Sequence, residues 1–317
     1  MEQYDIPFLS LSNSSKEKRY HRCTRLFEFN KLYGHAREDY EEGLAAGAGH
    51  ALHGAYQTYL ATGDKEAALW RLMQRYPVAL QKGENDPRSI FACYAAFEQM
   101  IANPLDSRYK LAFVNVDGVE KPAVEVPCRM IFKDISVLKT RHVPVYWDMF
   151  IDAILWDTLQ QRFVVMDIKT TRKVRYDYST TFKRDPQCLP YAYIIDQVLG
   201  QPATSLGVIY LVVYIDAIQP KALKYEFMKT SRDIEEWAFD TAVMIRDIKW
   251  MAETGFFPKR GEQCDNFKEC IYNSCCDYTS PESIKEYLRL KFGEMDYEKK
   301  EKEFNPWFQL ELTVEGL

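Results

Sequence analysis

The pattern of apolar and polar positions is clearest in the middle of the chain. Two runs rich in aromatic and β-branched residues, 146–156 and 162–168, flank the polar stretch 157–161. This composition predicts two strands of a sheet joined by a turn. A basic stretch follows, and then a helical pattern over 187–199. We therefore expect the order strand, turn, strand, basic loop and helix.

The rest of the pattern divides into a helical part and a mixed part. Apolar residues recur at helical spacing before residue 105, which predicts helices over 16–33, 36–62, 64–76 and 86–102. A hairpin of 109–116 and 123–132 about the Asp117-Gly118 turn comes next. After residue 199 the pattern predicts strands over 206–215 and 222–228 and a helix over 230–254.

The predicted central hairpin brings two carboxylates together. If it folds about the Leu159–Gln160 peptide, Asp152 and Asp167 lie opposite each other with Cβ atoms roughly 5 Å apart. Lys169 follows Asp167 by two residues and points to the same face. Two acids and a lysine inside a sheet are costly unless a cation neutralises the acids. Carboxylate oxygens suit Mg²⁺ or Mn²⁺, so we expect a divalent-metal site; a salt bridge at a strand end is the alternative.

Composition and charge limit the setting in which the protein works. The chain has 317 residues, 47% of them apolar, so it can bury a sizeable core. The net charge of -5 excludes a generally basic nucleic-acid coat, and any contact with DNA must come from local patches. No apolar run reaches the roughly 18 residues needed to cross a bilayer, and the first residues lack a signal-peptide core. We therefore expect a cytoplasmic protein that does not enter a membrane.

Cysteines are concentrated towards the end of the chain. Four of the eight lie within residues 264–276, namely Cys264, Cys270, Cys275 and Cys276. In a reducing compartment this density favours a metal or cluster site over disulfides. The spacing differs from the paired cysteines of a zinc ribbon.

The succession of these elements resembles the RecB-like branch of the PD-(D/E)xK nuclease superfamily, which includes Cas4-like iron–sulfur nucleases. The resemblance is carried by Gly47-x-x-His50, Asp152, Asp167-Ile168-Lys169, Gln187-x-x-x-Tyr191 and the cysteines. It implies a mixed α/β fold of the restriction-endonuclease-like type, with a central mixed sheet flanked by helices. We expect a helical N-terminal portion over 1–105, a nuclease core over 106–255, and a cysteine segment with a tail over 256–317.

The resemblance also implies roles for individual residues. The metal ligands would be Asp152, Asp167, His50 and the carbonyl of Ile168, holding one or two Mg²⁺ or Mn²⁺ ions. Lys169 would orient the attacking water or stabilise developing negative charge.

Further residues complete the implied site. Gln187 and Tyr191 would position Lys169 or the DNA backbone. His53, one turn after His50 on the same helix face, is the alternative histidine. Glu125 is a further candidate acid at the edge of the site.

The cysteines match the ligands of an iron–sulfur cluster in the same family. The resemblance implies a [4Fe–4S] cluster held by Cys23, Cys264, Cys270 and Cys276, with Cys275 as the spare thiol. Four thiolates also bind Zn²⁺, which is the alternative cofactor. Either metal would join distant parts of the chain and restrict the unfolded state.

The basic stretch after the second central strand is the candidate surface for nucleic acid. Its cations are Arg172, Lys173, Arg175, Lys183 and Arg184, interleaved with Tyr176, Tyr178 and Phe182. Cations suit phosphates, and aromatic faces suit the bases of single-stranded DNA. A solvated charged loop would have the same composition.

These observations lead to one functional hypothesis and two alternatives. We expect a metal-dependent DNA exonuclease of phage type, acting on single-stranded or end-containing DNA in replication, recombination or repair, with a protein partner from those processes. The first alternative is a structure-specific endonuclease that cuts flaps or junctions. The second is a non-catalytic DNA-binding subunit with an iron–sulfur or zinc staple.

Overall fold

The computed structural model describes residues 4–12, 20–21, 23–33, 44–76, 89–172, 177–259, 264, 270–293 and 296–315. Its helices are α1 (Thr24–Phe27, continued by a π-helical turn, Glu28–Leu32), α2 (Leu44–Thr62), α3 (Lys65–Arg75), α4 (Ile90–Ala102), α5 (Tyr178–Arg184), α6 (Tyr191–Leu199), α7 (Ser231–Thr254), α8 (Pro281–Phe292) and α9 (Tyr297–Glu303). Its strands are β1 (Leu9–Leu11), β2 (Tyr109–Leu111), β3 (Phe113–Val116), β4 (Val119–Pro122), β5 (Val124–Phe132), β6 (Val145–Asp157), β7 (Arg162–Thr171), β8 (Ser205–Tyr214), β9 (Lys221–Thr230) and β10 (Phe308–Leu312). The fold is mixed α/β with a central mixed sheet flanked by helices, as the sequence predicted.

Capping residues set the starts of several helices. The Asp64 carboxylate accepts hydrogen bonds from the Glu66 and Ala67 N–H groups at 2.8 and 3.0 Å, and α3 begins there. The Ser89 hydroxyl accepts from the Ala92 N–H at 3.1 Å at the start of α4. These bonds satisfy N–H groups that the first turn of a helix leaves without a partner.

Two predicted elements differ from the structure. The predicted helix over 16–33 is broken at Cys23, which has extended backbone angles of φ -162° and ψ 116°; residues 13–19 and 22 lie outside the described ranges. The predicted partner of 109–116 was also wrong, because β3 pairs with β4, with Val116 opposite Val119. The two-residue Asp117-Gly118 turn pairs the residues nearest to it, and the short ladder ends at Pro122, which has no N–H to donate.

The chain forms two compact units, each built from separate segments. The first contains Met1–Asp39, Pro127–Met149 and Glu235–Leu317, and the second contains Tyr40–Val126 and Phe150–Ile234. The three consecutive portions expected from the sequence remain a prediction.

The second unit carries the central hairpin in the predicted register. Strands β6 and β7 are antiparallel, with Ala153 opposite Met166 and Asp157 opposite Arg162, as a fold about Leu159–Gln160 requires. The order continues through β8, which is parallel to β7, to the antiparallel β9. Strand β8 is buried along almost its whole length, as expected for a strand covered on both faces.

One face of this sheet forms the core of the second unit. Alternate residues of β6 and β7, among them Ala153, Leu155, Val164 and Met166, pack with buried residues of α2, α3 and α4. Side chains alternate between the faces of a strand. Asp167 lies between Met166 and Ile168 on β7 and therefore points to the opposite face of the sheet.

The first unit is a smaller sheet segment with aromatic packing. Strand β10 runs parallel to β5, and β1 runs parallel to β6. Trp147 is fully buried and meets Trp237 edge to face at a centroid distance of 5.4 Å. The function of the tail after residue 291 was open from the sequence, and part of it completes this sheet as β10. Within the described ranges, no helix is both long enough and apolar enough to cross a membrane.

We expect the helical layer of the second unit to depend on Phe97 of α4, which is fully buried. Phe97→Ala should lower the free energy of unfolding by about 3–5 kcal/mol, because it removes apolar contacts and leaves a cavity. Urea unfolding followed by circular dichroism measures the change. Phe91→Ala, on the same helix at a residue 54% exposed, is the control and should cost less than about 0.5 kcal/mol. Equal losses in the two variants would contradict the packing described.

Candidate metal and catalytic site

Two acids meet on neighbouring strands of the second unit. Asp152 lies on β6 and Asp167 on β7, each one residue beyond the pair Ala153–Met166. One oxygen of Asp152 accepts the Ile168 N–H at 2.7 Å, so a main-chain bond ties this carboxylate to the strand of the second acid. The local cause is the hairpin register, which places both side chains at the same level of the sheet.

Asp167 is held by a lysine and a glutamine. Its Oδ2 is in ion-pair contact with Lys169 Nζ, and its Oδ1 accepts from Gln187 Nε2 at 3.2 Å. Lys169 Nζ also donates to Gln187 Oε1 at 2.8 Å. Gln187 therefore bridges the acid and the amine, and the three side chains form a closed triangle.

Burial and neighbouring charges shift the pKa values of the two acids and the lysine. The pKa of Asp167 is raised to about 6, mainly by burial and also by Asp152, while Lys169 opposes the rise. Burial also raises the pKa of Asp152, but His53, the Ile168 N–H and Lys169 outweigh burial and hold that pKa below its ordinary value. For Lys169, burial lowers the pKa, but Asp167 and other neighbours raise it above the ordinary value. This direction keeps Lys169 in its charged ammonium form at neutral pH.

The histidine at the acids is His53 of α2. Its Nδ1 lies 3.5 Å from Asp152 Oδ1, whereas His50, one turn earlier, is exposed. This contact favours His53 as the histidine of the site, and the choice of His50 made from the sequence stays a prediction. Gln57, one further turn along, has Nε2 at 3.5 Å from the same oxygen, and the sequence reasoning missed it. His50, His53 and Gln57 are spaced by three and then four residues, so they share one helix face. This spacing was the sequence signal that could have found His53 and Gln57.

A glycine lets α2 approach the sheet. A Cβ placed on Gly49 would lie 2.7 Å from Thr170 Oγ1 of β7, a distance that real Cβ atoms essentially never show. Because the helix comes this close, the side chain of His53 can reach the carboxylate of Asp152.

Gln187 lies in turns and not at the start of a helix. The prediction of a helix over 187–199 was wrong at its first turn, because α6 begins at Tyr191 and residues 187–190 form successive turns. Pro190 explains this, since it has no N–H to donate to the carbonyl of residue 186, as a helix begun at Gln187 would require. Tyr191 is buried, and its hydroxyl donates to the Phe150 carbonyl at 3.0 Å, so it braces β6.

The donor set fits a divalent cation that shares its coordination with substrate and water. Asp167 Oδ2 is buried, and the described partner of this oxygen is the ammonium group of Lys169. Among the described residues, no three His, Cys, Asp or Glu side chains are placed to hold an ion by themselves. Mg²⁺ commonly uses one or two carboxylates and completes its shell with waters and phosphate oxygens.

The structure describes three of the five predicted DNA-contacting cations. Arg172, Lys183 and Arg184 are exposed, while Lys173 and Arg175 lie outside the described residues. Of the interleaved aromatic residues, Tyr178 and Phe182 do not offer their faces to bases as we expected. Tyr178 and Phe182 are buried in a stack that continues to Tyr210, with Phe182 and Tyr210 centroids 4.6 Å apart. Tyr176 lies outside the described residues.

Glu125 belongs to a different pair of charges. Its carboxylate lies 3.5 Å from Arg75 Nη1, and its backbone has a positive φ of 48°. Non-glycine residues rarely adopt this conformation, so Glu125 marks a strained position of β5.

The cysteine segment and the first helix lie together in the first unit. The Thr24 hydroxyl donates to the Pro258 carbonyl at 2.9 Å, and Cys270 N–H donates to the Cys264 carbonyl at 2.8 Å. Burial raises the pKa of Cys276 to about 11, Lys259 lowers it, and the nearby thiols of Cys270 and Cys23 raise it. The Cys23 thiol therefore influences the pKa of Cys276, although 253 positions separate the two residues in the sequence (276 minus 23).

Two carboxylates, a lysine and a glutamine that converge on one face of a mixed sheet are typical of the metal-assisted nuclease class. The profile of the PD-(D/E)XK nuclease superfamily matches residues 11–277, and the chain belongs to this superfamily. The protein is thus a nuclease by family, and nucleases of this superfamily typically use divalent metal ions.

Solved structures give more distant likenesses. A "Putative exonuclease" from Eubacterium rectale is 14% identical, with a TM-score of 0.48, and the match covers 82% of this chain and 86% of that one. A protein designated SSO0001 is 12% identical, with a TM-score of 0.29, and the match covers 73% and 84% of the two chains. No curated protein matches the chain.

We expect His53→Ala to raise the pKa of Asp152. His53 holds that pKa down through its charge and its hydrogen bond, so its removal leaves burial less opposed. Nuclear magnetic resonance titration of the aspartate side-chain carbons of the metal-free protein measures the shift.

His50→Ala is the matched control for this titration, because it removes the same side chain one turn away. It should leave the pKa of Asp152 close to that of the unmodified protein. A larger shift in the control than in His53→Ala would return the assignment to His50.

Proposed function

We propose that this protein is a metal-dependent DNA exonuclease that hydrolyses phosphodiester bonds of single-stranded or end-containing DNA. The observation that supports this most directly is the convergence of Asp152, Asp167, Lys169 and Gln187 in the second unit. Within the nuclease superfamily to which the chain belongs, such a set supplies both an anionic cradle for a cation and a cation for a phosphate.

The residues that would hold Mg²⁺ or Mn²⁺ are Asp152, Asp167, His53 and the Ile168 carbonyl. When bound, the metal polarises the scissile phosphate and lowers the pKa of a coordinated water. The two acids differ in their surroundings, since Asp152 accepts a main-chain N–H and Asp167 faces Lys169. Asp152 thus stays ionised readily, while Asp167 is the acid whose ionisation benefits most from a nearby cation.

Lys169 is the residue that would stabilise the negative charge that develops during the reaction. Its ammonium group is oriented by Gln187 at 2.8 Å, which removes rotamers that point elsewhere. A pre-oriented cation stabilises charge that develops on the phosphate oxygens or orients the attacking water, at no cost in reorganisation during the step. Tyr191 contributes indirectly, because its bond to the Phe150 carbonyl braces the strand of Asp152.

The DNA backbone would lie along the exposed cations that follow β7. Arg172, Lys183 and Arg184 are exposed, and Lys173 and Arg175 belong to the same basic stretch of the sequence. Contacts of this kind are electrostatic and independent of base sequence, so they suit an enzyme that must act at successive phosphates. The stretch lies next to the catalytic strand along the chain, which favours DNA entry from this side.

The cysteines of the first unit would hold a [4Fe–4S] cluster with Cys23, Cys264, Cys270 and Cys276 as ligands. The main-chain bond between Cys264 and Cys270, and the influence of the Cys23 and Cys270 thiols on the pKa of Cys276, support this set. Burial raises the thiol pKa of Cys276, so a metal is needed to stabilise its thiolate at neutral pH. The cluster would act as a staple that joins the start of α1 to the segment around Cys276.

We expect Asp167→Asn to abolish DNA cleavage, because it removes a negative charge that the cation needs. Lys169→Ala should lower kcat roughly 100- to 1,000-fold through loss of charge stabilisation. The measurement is release of nucleotides from end-labelled linear single-stranded DNA in Mg²⁺ or Mn²⁺. Asp240→Asn, at an exposed position of α7, is the charge-matched control and should keep full activity.

The same assay separates the modes of cleavage. Closed circular DNA should resist the unmodified enzyme, since an exonuclease needs an end. Cleavage of the circle would replace the proposal by an endonuclease. Tight DNA binding without cleavage in either metal, in protein that is correctly folded, would leave only a DNA-binding role.

We expect Cys276→Ser to lose iron and acid-labile sulfide from anaerobically purified protein, because a thiolate ligand is removed. Cys275→Ser is the control, since Cys275 is the adjacent thiol and is not among the proposed ligands. Metal analysis and the visible spectrum of both variants measure the outcome. Zinc in place of iron in the unmodified protein would change the cofactor, and equal iron in both variants would exclude Cys276 as a ligand.

A further inference from the structure

A lysine of the second unit is buried beside the segment that leads to Gln187. Lys229 of β9 is only 2% exposed. Its Nζ donates three hydrogen bonds, all to main-chain carbonyls: Phe182 at 3.0 Å, Lys183 at 2.8 Å and Asp185 at 2.8 Å. An ammonium group has three donors, so these contacts use all of them.

The three carbonyls lie at the end of a short helix. Phe182 and Lys183 belong to the last turn of α5, and Asp185 follows it. The last carbonyls of a helix have no partner inside the helix and carry the negative end of its dipole, so a cation is favoured there. Helix α5 has only seven residues and cannot fix its own end, because helices this short are marginal by themselves.

The acids nearest to this ammonium group are engaged elsewhere. Asp185 Oδ1 accepts the Gln187 N–H at 2.9 Å, and Asp233 Oδ2 accepts from the N–H and hydroxyl of Thr230 at 2.7 and 2.8 Å. Burial lowers the pKa of Lys229, and the neighbouring Cys188, Asp185 and Asp233 only partly oppose this effect. The buried charge is thus held by neutral carbonyl groups. These three hydrogen bonds tie the end of α5 and the residue after it to β9.

A short path leads from Lys229 to the catalytic residues. Lys229 holds the carbonyl of Asp185, and the carboxylate of Asp185 fixes the N–H of Gln187. Gln187 in turn binds Lys169 at 2.8 Å and Asp167 at 3.2 Å. Residues 187–190 form turns, so this part of the chain lacks the regular bonds that would otherwise orient Gln187.

We propose that Lys229 is a positioning residue of the nuclease: it anchors the segment 182–187 to β9 and thereby sets the orientation of Gln187 towards Lys169 and Asp167. The inference rests on the proposed nuclease function for its kinetic consequence. Its structural part, the anchoring of the loop, is independent of that function. Groups that orient catalytic residues in this indirect way typically affect activity by roughly 10- to 100-fold.

The test compares Lys229→Met with two further variants. Methionine keeps the length of the side chain and cannot donate to the three carbonyls. Lys221→Met, at an exposed position of the same strand, is the matched control. Gln187→Ala removes the residue through which Lys229 is proposed to act.

We expect Lys229→Met to lower kcat roughly 10- to 100-fold, with a smaller change in KM, whereas Lys221→Met keeps the unmodified values. In the Gln187→Ala background, Lys229→Met should have a much smaller effect on kcat, because both changes disable the same contact. Equal factors in the two backgrounds would overturn the proposal, since a general loss of stability acts on both alike.

Hydrogen–deuterium exchange of the metal-free protein gives a second readout that needs no activity. Amides of 182–190 should exchange faster in Lys229→Met than in Lys221→Met, while those of β8 stay protected. Unchanged exchange in 182–190 would refute the anchoring. If the unmodified protein does not cleave DNA at all, the nuclease proposal fails, and the exchange result still decides whether Lys229 holds the loop.

Discussion

The hydrogen bond from the Ile168 N–H to Asp152 is the interaction on which the site depends. It fixes the acid of β6 against β7 at the level of Asp167, and it exists only in one register of the hairpin. A slip of one residue would turn every side chain of a strand to the other face, so the acids and the apolar core are specified together. The packing of Ala153 and Met166 under the helices and the pairing of the acids are two results of one register.

Buried charge is the second constraint, and it explains why the site has so many partners. Asp152 and Asp167 would repel each other, and each would lose hydration. His53, the Ile168 N–H, Lys169 and Gln187 offset this cost in part, and a divalent cation would offset more of it. The two acids therefore have different partners. Asp152 contacts a main-chain N–H and a histidine, whereas Asp167 contacts an ammonium group.

Local chemistry made some of this predictable and left other parts hidden. The hairpin register followed from a polar break between two β-rich runs, and the face shared by Asp167 and Lys169 followed from the two-residue period of a strand. The choice between His50 and His53 could not be made in that way, because both lie on one helix face and only the depth of the helix decides. The burial of Tyr178 and Phe182 and the anchoring by Lys229 depend on contacts between residues far apart in the sequence. Pro190 did give a local signal for the turns around Gln187, and the helical pattern after it obscured that signal.

The close approach at Gly49 has a consequence for how this enzyme tolerates change. Gly49 has no functional group, yet it determines how closely α2 approaches β7, since even one methyl group would collide with Thr170. Natural variation should therefore be as restricted at this silent position as at the reactive ones, and a mutational scan would group it with the acids. A search for important residues that considers only reactive side chains would overlook Gly49, because what matters there is the absence of a side chain.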